Sequence, residues 1–238
     1  MSLHGRIFSF SEKCSDCQYR GLRTFCNLGE AALQRFEEIG SPVSLPGRAI
    51  LFQESQRSNA VFVVCTGQLK LTTTSKDGRT MILRLALPGD VLGLSATLGD
   101  MPYEVTAETV EPTHLRSIRK PDFLAFLADF SEVGQKTSSS LAREYRAVYL
   151  DARRLALSSS AAGRLAQLLI DWASTAACGK PELRFTMALT HEELASMAGT
   201  SRETVTRLLN QFERDQLITR HGTAITIINP PGLADLAL

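Results

Sequence analysis

The chain has 238 residues, 44% apolar and 21% charged, which excludes disordered, collagen-like and purely coiled-coil proteins and leaves room for one large domain or two modest ones. Lysine and arginine number 26 against 25 aspartates and glutamates, so overall charge points to no nucleic-acid partner, and any DNA-binding face has to come from a local cluster of cations. No apolar run approaches the roughly 18 residues of a membrane span, and MSLHGRIFSFSEKC lacks the apolar stretch of a secretory signal, so a cytoplasmic protein with no membrane partner is expected.

Five cysteines, an odd number, include three crowded near the N-terminus of a chain too long to need disulfide staples. Cys14-Ser15-Asp16-Cys17 is a CxxC pair, and Cys26 follows after a gap of eight residues. Closely spaced thiolates share metals, so residues 1–29 suggest metal or redox chemistry. An iron-sulfur cluster, zinc, a thiol switch and a vestigial or structural motif all stay open, because three ligands leave a tetrahedral site unfilled. His4 or a carboxylate is a candidate to complete it, although the spacing singles out neither. Cys65 sits in a strand-like run and reads as a small buried hydrophobe; Cys178 reads as an incidental thiol in a loop.

A helix is expected over Glu30 to Ile39, with Ala32, Leu33, Phe36 and Ile39 on one face. Residues 42–119 read as strands, for example Val61-Phe62-Val63-Val64 and Leu69-Lys70-Leu71-Thr72-Thr73-Thr74, with Ser75-Lys76-Asp77-Gly78 as a hairpin turn. Gly47, Gly67, Gly78, Gly89 and Gly93 punctuate the stretch, each able to supply a positive φ or a bend. An antiparallel barrel-like domain over 30–130 follows. From Pro121 the period becomes helical, and the stretch 131–158 contains no proline and no glycine after Gly134. Its seam Gly134, Ser138, Leu141, Tyr145, Val148, Ala152, Leu155 alternates steps of four and three, the heptad pattern of paired helices. A homodimer interface of Leu141, Tyr145, Val148, Ala152 and Leu155 is therefore expected, with an amphipathic helix packed on its own domain as the plainer alternative.

Residues 159–238 form a smaller domain opened by a helix with Leu165, Leu168, Leu169 and Trp172 inward, then a loop over Ala176 to Pro181 and a short strand near Arg184 to Met187. Thr190-His191-Glu192-Glu193 fits a capping box and starts a helix that stops at Gly199. Thr200 or Ser201 caps the next, whose apolar residues Val205, Leu208, Leu209 and Phe212 fall on one side. Arg202, Glu203, Thr206, Arg207 and Asn210 fall on the other. Two short helices, a glycine turn and the plug Val205 make helix-turn-helix spacing. Arginine can bond both acceptors of a guanine edge and glutamate accepts from cytosine, so Arg202, Glu203 and Arg207 are the expected base readers. Thr190, His191, Ser201 and Thr206 are expected to bind DNA beside them. The alternative is a solvated surface with an intrahelical Glu203 to Arg207 pair. Leu217 to Ile227 reads as a hairpin, giving a winged helix-turn-helix with Arg220 and His221 placed near phosphate.

These residues resemble the CRP/FNR superfamily of bacterial transcription factors, the relatives of the cAMP receptor protein and the fumarate-nitrate reductase regulator. The resemblance spans nearly the whole chain and rests on the roll glycines, Pro88-Gly89-Asp90-Val91-Leu92-Gly93, the long helix and, above all, Ser201-Arg202-Glu203-Thr204-Val205-Thr206-Arg207-Leu208-Leu209. It implies an α+β architecture: an N-terminal β-roll of cupin-like, cyclic-nucleotide-binding type, a dimerisation helix and a C-terminal winged helix-turn-helix. It also implies a homodimer that recruits RNA polymerase and reads double-stranded DNA. The half-sites would be TGTGA-like, in a palindrome, with centres roughly 10 bp apart.

A cAMP-binding member would present a glutamate to the ribose and an arginine-serine pair to the cyclic phosphate. Here Leu94-Ser95 and Tyr103-Glu104 align with those positions, and a carboxylate beside phosphate repels it, which argues against cAMP. Cys14, Cys17 and Cys26 instead resemble the oxygen-sensing FNR branch, where thiolates hold a 4Fe-4S cluster. The gap to Cys26 is wider than in that branch, and the stretch Glu111 to Arg119, where a fourth cysteine is looked for, has none. No nucleophile elbow, phosphate loop or paired metal motif suggests an enzyme. His191-Glu192 begins like a zinc-protease helix, but Ala195 stands where the second histidine belongs. The remaining rival is a stand-alone ligand-sensing β-roll without base-specific DNA binding.

Overall fold

The computed structural model describes residues 13–78, 80–157, 160–177, 183–187 and 189–237, with side chains outside 150–157 and 175–177. His4 and Cys178 lie outside the described residues, as do the side chains of Ala152 and Leu155. The chain divides into two compact units, with the main boundary inside one long helix, between Tyr145 and Arg146.

The first unit opens with α1 (Glu30–Ile39), β1 (Gly40–Leu45), β2 (Ile50–Phe52), β3 (Ala60–Thr66), β4 (Leu69–Thr74) and β5 (Thr80–Ala86). It continues with β6 (Val91–Leu92), α2 (Leu94–Leu98), β7 (Thr106–Thr109), β8 (Thr113–Arg119), α3 (Lys120–Asp129) and α4 (Ser131–Leu157). The strands form two four-stranded sheets, ordered β1-β8-β3-β6 and β2-β7-β4-β5. Strand β3 shows how the layers are made. Ala60, Phe62 and Val64 enter a core with Phe52, Leu71, Tyr103 and Leu115. The alternate residues Val61 and Val63 enter a second core with Phe25, Phe36, Phe123 and Phe126. A strand buried on both faces reads as a continuous apolar run, which is what Val61-Phe62-Val63-Val64 is.

The β3 to β8 register slips between Val64 and Thr66, leaving Cys65 at a β-bulge. Directly after it, Gly67 has φ +79°, and an added Cβ would stand 2.6 Å from the Pro112 carbonyl oxygen, so no other residue fits there without a shift. At the β1 to β2 turn the positive φ, expected as one option for Gly47, falls on Arg48 instead. Helix α2 interrupts the stretch read as strands; it starts from Gly93 in the left-handed region.

Within α4, Val133, Thr137 and Ser140 are buried, a stripe of steps four and three. The expected dimer seam is the stripe one residue further on. Gly134 has open space beside its Cα, Leu141 packs partly against the second core, and Tyr145 and Val148 are 75% and 58% exposed.

The second unit continues with α5 (Ala161–Ala177), β9 (Arg184–Thr186), α6 (His191–Ala198), α7 (Arg202–Arg214), β10 (Ile218–His221), β11 (Ala224–Ile227) and α8 (Pro230–Asp235). A three-stranded antiparallel sheet ordered β10-β11-β9 carries the hairpin expected after α7. Leu165, Leu168 and Leu169 of α5 are buried as expected, and Trp172 meets Phe185 edge to face at 6.0 Å. Helix α8 lies beyond the sequence expectation; Asn229 caps it and Pro230 opens it.

Candidate functional site

Helix α6 begins with the full capping box: Glu193 N–H donates to Thr190 Oγ1 at 3.2 Å, and Thr190 N–H donates to Glu193 Oε2 at 2.9 Å. It ends at Gly199, whose φ of 58° is the left-handed stop glycine allows. Arg164 on α5 completes that end, its Nε donating to the Ala198 carbonyl at 2.6 Å and Nη2 to the Gly199 carbonyl at 3.1 Å. Of the two candidate caps for α7, Ser201 is the one used; Thr204 N–H donates to its Oγ at 3.2 Å. Val205, Leu208, Leu209 and Phe212 are buried, which fixes the opposite face outward.

That outward face carries Arg202, Glu203, Thr206, Arg207, Asn210 and Arg214 along one open depression. Arg202, Glu203 and Arg207 are exposed. Hydrogen bonds from its own backbone N–H and from Ser201 hold Glu203 below the usual carboxylate range. Its carboxylate therefore serves the start of α7 in the free protein. Arg214 was missed by the sequence reading, though it continues the face seven residues beyond Arg207.

Two expected site residues are tied to partners. His191 Nδ1 lies 2.8 Å from Thr206 Oγ1, and Thr206 Oγ1 donates to the Arg202 carbonyl at 3.0 Å. Burial, then the nearby Arg220 and Arg202 guanidiniums, hold His191 below its ordinary pKa. Arg220, expected near phosphate, is turned onto α7. Its Nη2 donates to Glu213 Oε2 at 2.8 Å and to Asn210 Oδ1 at 2.6 Å, which clamps the wing against the helix. Glu213 carries no sequence signal of this role, because its partner lies in another element.

The three N-terminal cysteines converge, and a fourth joins them. Cys14, Cys17, Cys26 and Cys65 line one narrow void of about 30 Å³ together with Arg23 and Arg116. All four are free thiols. Burial pushes Cys14 up to about 11 and Cys26 up to about 12, and it raises Cys65 as well. Arg116 beside Cys14, and Arg23 beside Cys26, act in the opposite sense. Among the described residues, no group of three or more His, Cys, Asp or Glu stands ready to hold a single metal ion.

The positions aligned with a cyclic-nucleotide pocket are filled differently. Tyr103 is buried, stacks on Phe52 at 4.0 Å between ring centres, and donates from its hydroxyl to the Ala60 carbonyl at 2.8 Å. Glu104 accepts a hydrogen bond from the Ser95 hydroxyl. Among the described residues, no helix is long and apolar enough to cross a membrane.

Comparison with known proteins agrees with this layout. Residues 42–130 match the cyclic nucleotide-binding domain family, and residues 163–236 match the Crp-like helix-turn-helix domain family. A CRP-like cAMP-activated global transcriptional regulator of Mycobacterium tuberculosis is 28% identical, over 81% of this chain and 86% of that one. The transcriptional activator protein FnrA of Stutzerimonas stutzeri is 27% identical, over 94% and 92%. In three dimensions, FixK2 of Bradyrhizobium japonicum aligns with a TM-score of 0.76 at 22% identity, covering 84% of this chain and 98% of that one.

Proposed function

The chain belongs to the CRP/FNR superfamily of DNA-binding transcription regulators, and from that premise we propose that it works as a cytoplasmic homodimer, reading a palindrome under control of a signal at its N-terminal part. In this reading residues 1–29 carry the signal site, 30–130 the β-roll, 131–158 the dimerisation helix and 159–238 the DNA-binding domain. The observation that carries it is the face of α7. Four buried apolar residues hold that helix on its domain, while Arg202, Glu203 and Arg207 stand outward with the chemistry of base edges. The half-sites are TGTGA-like, with centres roughly 10 bp apart, the spacing that lets two related recognition helices enter successive major grooves on one face of the duplex.

Thr190 and Ser201 start the two helices, and His191 and Thr206 lock them together, so all four act by presenting α7. Arg220 does the same from the wing. The exposed Tyr145 and Val148 support pairing with a second copy through the seam expected from the sequence, Leu141, Tyr145, Val148, Ala152 and Leu155. RNA polymerase is the partner of the bound dimer. No enzymatic step is assigned to the chain.

The signal is not a cyclic nucleotide in this reading. Tyr103 occupies core space where a phosphate-binding arginine would be needed, and Glu104 adds a carboxylate next to it. The thiols are the better candidate. They suit a soft, thiolate-bound group such as a 4Fe-4S cluster or zinc, which would tie the N-terminal segment to the roll.

Selection of bound sequences from a random DNA pool tests the proposal. A two-fold symmetric site is expected, and Arg207→Ala should weaken binding to it by about 1–3 kcal/mol while relaxing preference at one base of each half-site. Equal loss on every sequence would remove Arg207 from the readers, and recovery of no sequence at all would leave the stand-alone roll.

A further inference from the structure

Asn210 stands exposed on the outward face of α7, but its amide is held in one orientation from the wing. Arg220 Nη2 donates to Asn210 Oδ1 at 2.6 Å. A guanidinium carries five donors and no acceptor, so the amide oxygen, and not the amide nitrogen, has to be the atom turned toward Arg220. Nδ2, with its two donors, is left turned away from the arginine. We propose that Asn210 is a fourth base reader of α7, that it reads as a donor only, and that Arg220 is the positioning residue that makes it so. The inference rests on reading α7 as the recognition helix, and it concerns a residue to which that reading assigns no base contact.

The first support is position. At about 100° per residue, Asn210 falls between Arg202 and Arg207 around the helix, and it lies about 4.5 Å along the axis beyond Arg207. That is little more than the roughly 3.4 Å step between base pairs. Asn210 also lines the same open depression as Arg202, Glu203 and Arg207.

The second support is that Arg220 is itself fixed. It pairs across the wing with Ile225, so it shares a face of the sheet with that buried side chain. Glu213 then accepts from its backbone N–H at 3.1 Å, from Nε at 3.2 Å and from Nη2 at 2.8 Å. The carboxylate balances the guanidinium charge, and Nη2 spends a further donor on the neutral amide of Asn210.

The third support is chemical. An asparagine free to turn reads adenine with both ends of its amide, Oδ1 accepting from N6 and Nδ2 donating to N7. With Oδ1 engaged by Arg220, that pairing is lost, and the adenine amino group would meet another donor. Guanine O6 and thymine O4 are acceptors in the major groove, whereas adenine N6 and cytosine N4 are donors. A position next to the one read by Arg207 is therefore expected to hold guanine or thymine on the strand that Asn210 faces.

The test is selection from a random DNA pool with the full chain and its variants, each first checked for the circular dichroism of wild type. Asn210→Ala should flatten preference at one position beside the one that Arg207→Ala relaxes, and binding to the selected site should fall about two- to tenfold. Asn210→Asp keeps the shape of the side chain but replaces the outward donor with an acceptor, so the same strand should now select adenine or cytosine. Arg220→Ala frees the amide to turn over and should admit adenine and cytosine beside guanine and thymine. Arg220→Lys, whose ammonium is also a donor without an acceptor, should keep the wild-type preference. The two Asn210 variants carry the test even where Arg220→Ala does not fold, because Asn210 is exposed.

A preference left unchanged by folded Asn210→Ala or Asn210→Asp would overturn the proposal, as would an equal loss on every sequence, which marks a phosphate contact. An unbroadened preference in folded Arg220→Ala would overturn the part given to Arg220. Wild type that selects a site relaxed by Arg207→Ala keeps the α7 reading whatever Asn210 does; wild type that selects no sequence removes both.

Discussion

Thr206 has a single hydroxyl hydrogen, and it goes to the Arg202 carbonyl. The His191 ring nitrogen 2.8 Å away must then be the donor of its pair, so the neutral ring carries its proton on Nδ1 and leaves Nε2 as an acceptor. Burial and two nearby arginines disfavour the charged ring, so the folded chain takes up this proton at lower pH than the unfolded chain does. Stability is therefore unaffected above the ordinary histidine value and falls as pH drops through it toward the lower folded value. An NMR titration should place the His191 midpoint below about 6.5, and His191→Gln should flatten the loss of stability between pH 7 and 5.5; a midpoint at or above the ordinary value would break this assignment. Local pairs of this kind differ in how legible they are. The Thr190 to Glu193 box is a four-residue pattern and reads directly. Arg220 to Glu213, Arg164 to the end of α6 and Cys65 to the N-terminal thiols join separate elements, and no spacing announces them.

Helix α4 displays two stripes side by side. Val133, Thr137 and Ser140 are buried, while the stripe of Leu141, Tyr145 and Val148 leaves Tyr145 and Val148 exposed in a single chain. Both stripes step by four and three, so periodicity alone finds either one; Leu141, counted in the dimer seam, also touches the core of its own roll. Tyr145→Asp discriminates between a paired and a solvated stripe. At 75% exposure the substitution leaves the single chain intact, but in a dimer it buries an unpaired charge and should cost about 3 kcal/mol or more of association. Sedimentation at low concentration should show a monomer; an intact dimer would move the interface elsewhere. Among the elements, α1, the hairpins, α6 and α7 follow from period and caps. Helices α2 and α8 do not, since five and six residues are too few to show a 3.6-residue period.

At the level of the whole chain, the order of roll, long helix and winged domain was legible because each has its own period and its own punctuation. The thiol cluster was only half legible, because Cys14, Cys17 and Cys26 are neighbours in sequence while Cys65 is brought to the same void by a strand. The uninterrupted helix is visible in the sequence, but the boundary is not: the sequence suggests it after residue 158, whereas the two units divide inside the helix, between Tyr145 and Arg146. A continuous helix is a rotary coupling. Each residue added to it advances the far end by about 100° and 1.5 Å. One alanine inserted after Tyr145 should therefore abolish binding to the selected palindrome while both units still fold. Seven alanines, about 20° short of two full turns, should recover part of it. Affinity that rises and falls with this angle would mean that α4 sets the phase between the two units; affinity that only declines with added length would mean that it sets no more than their distance.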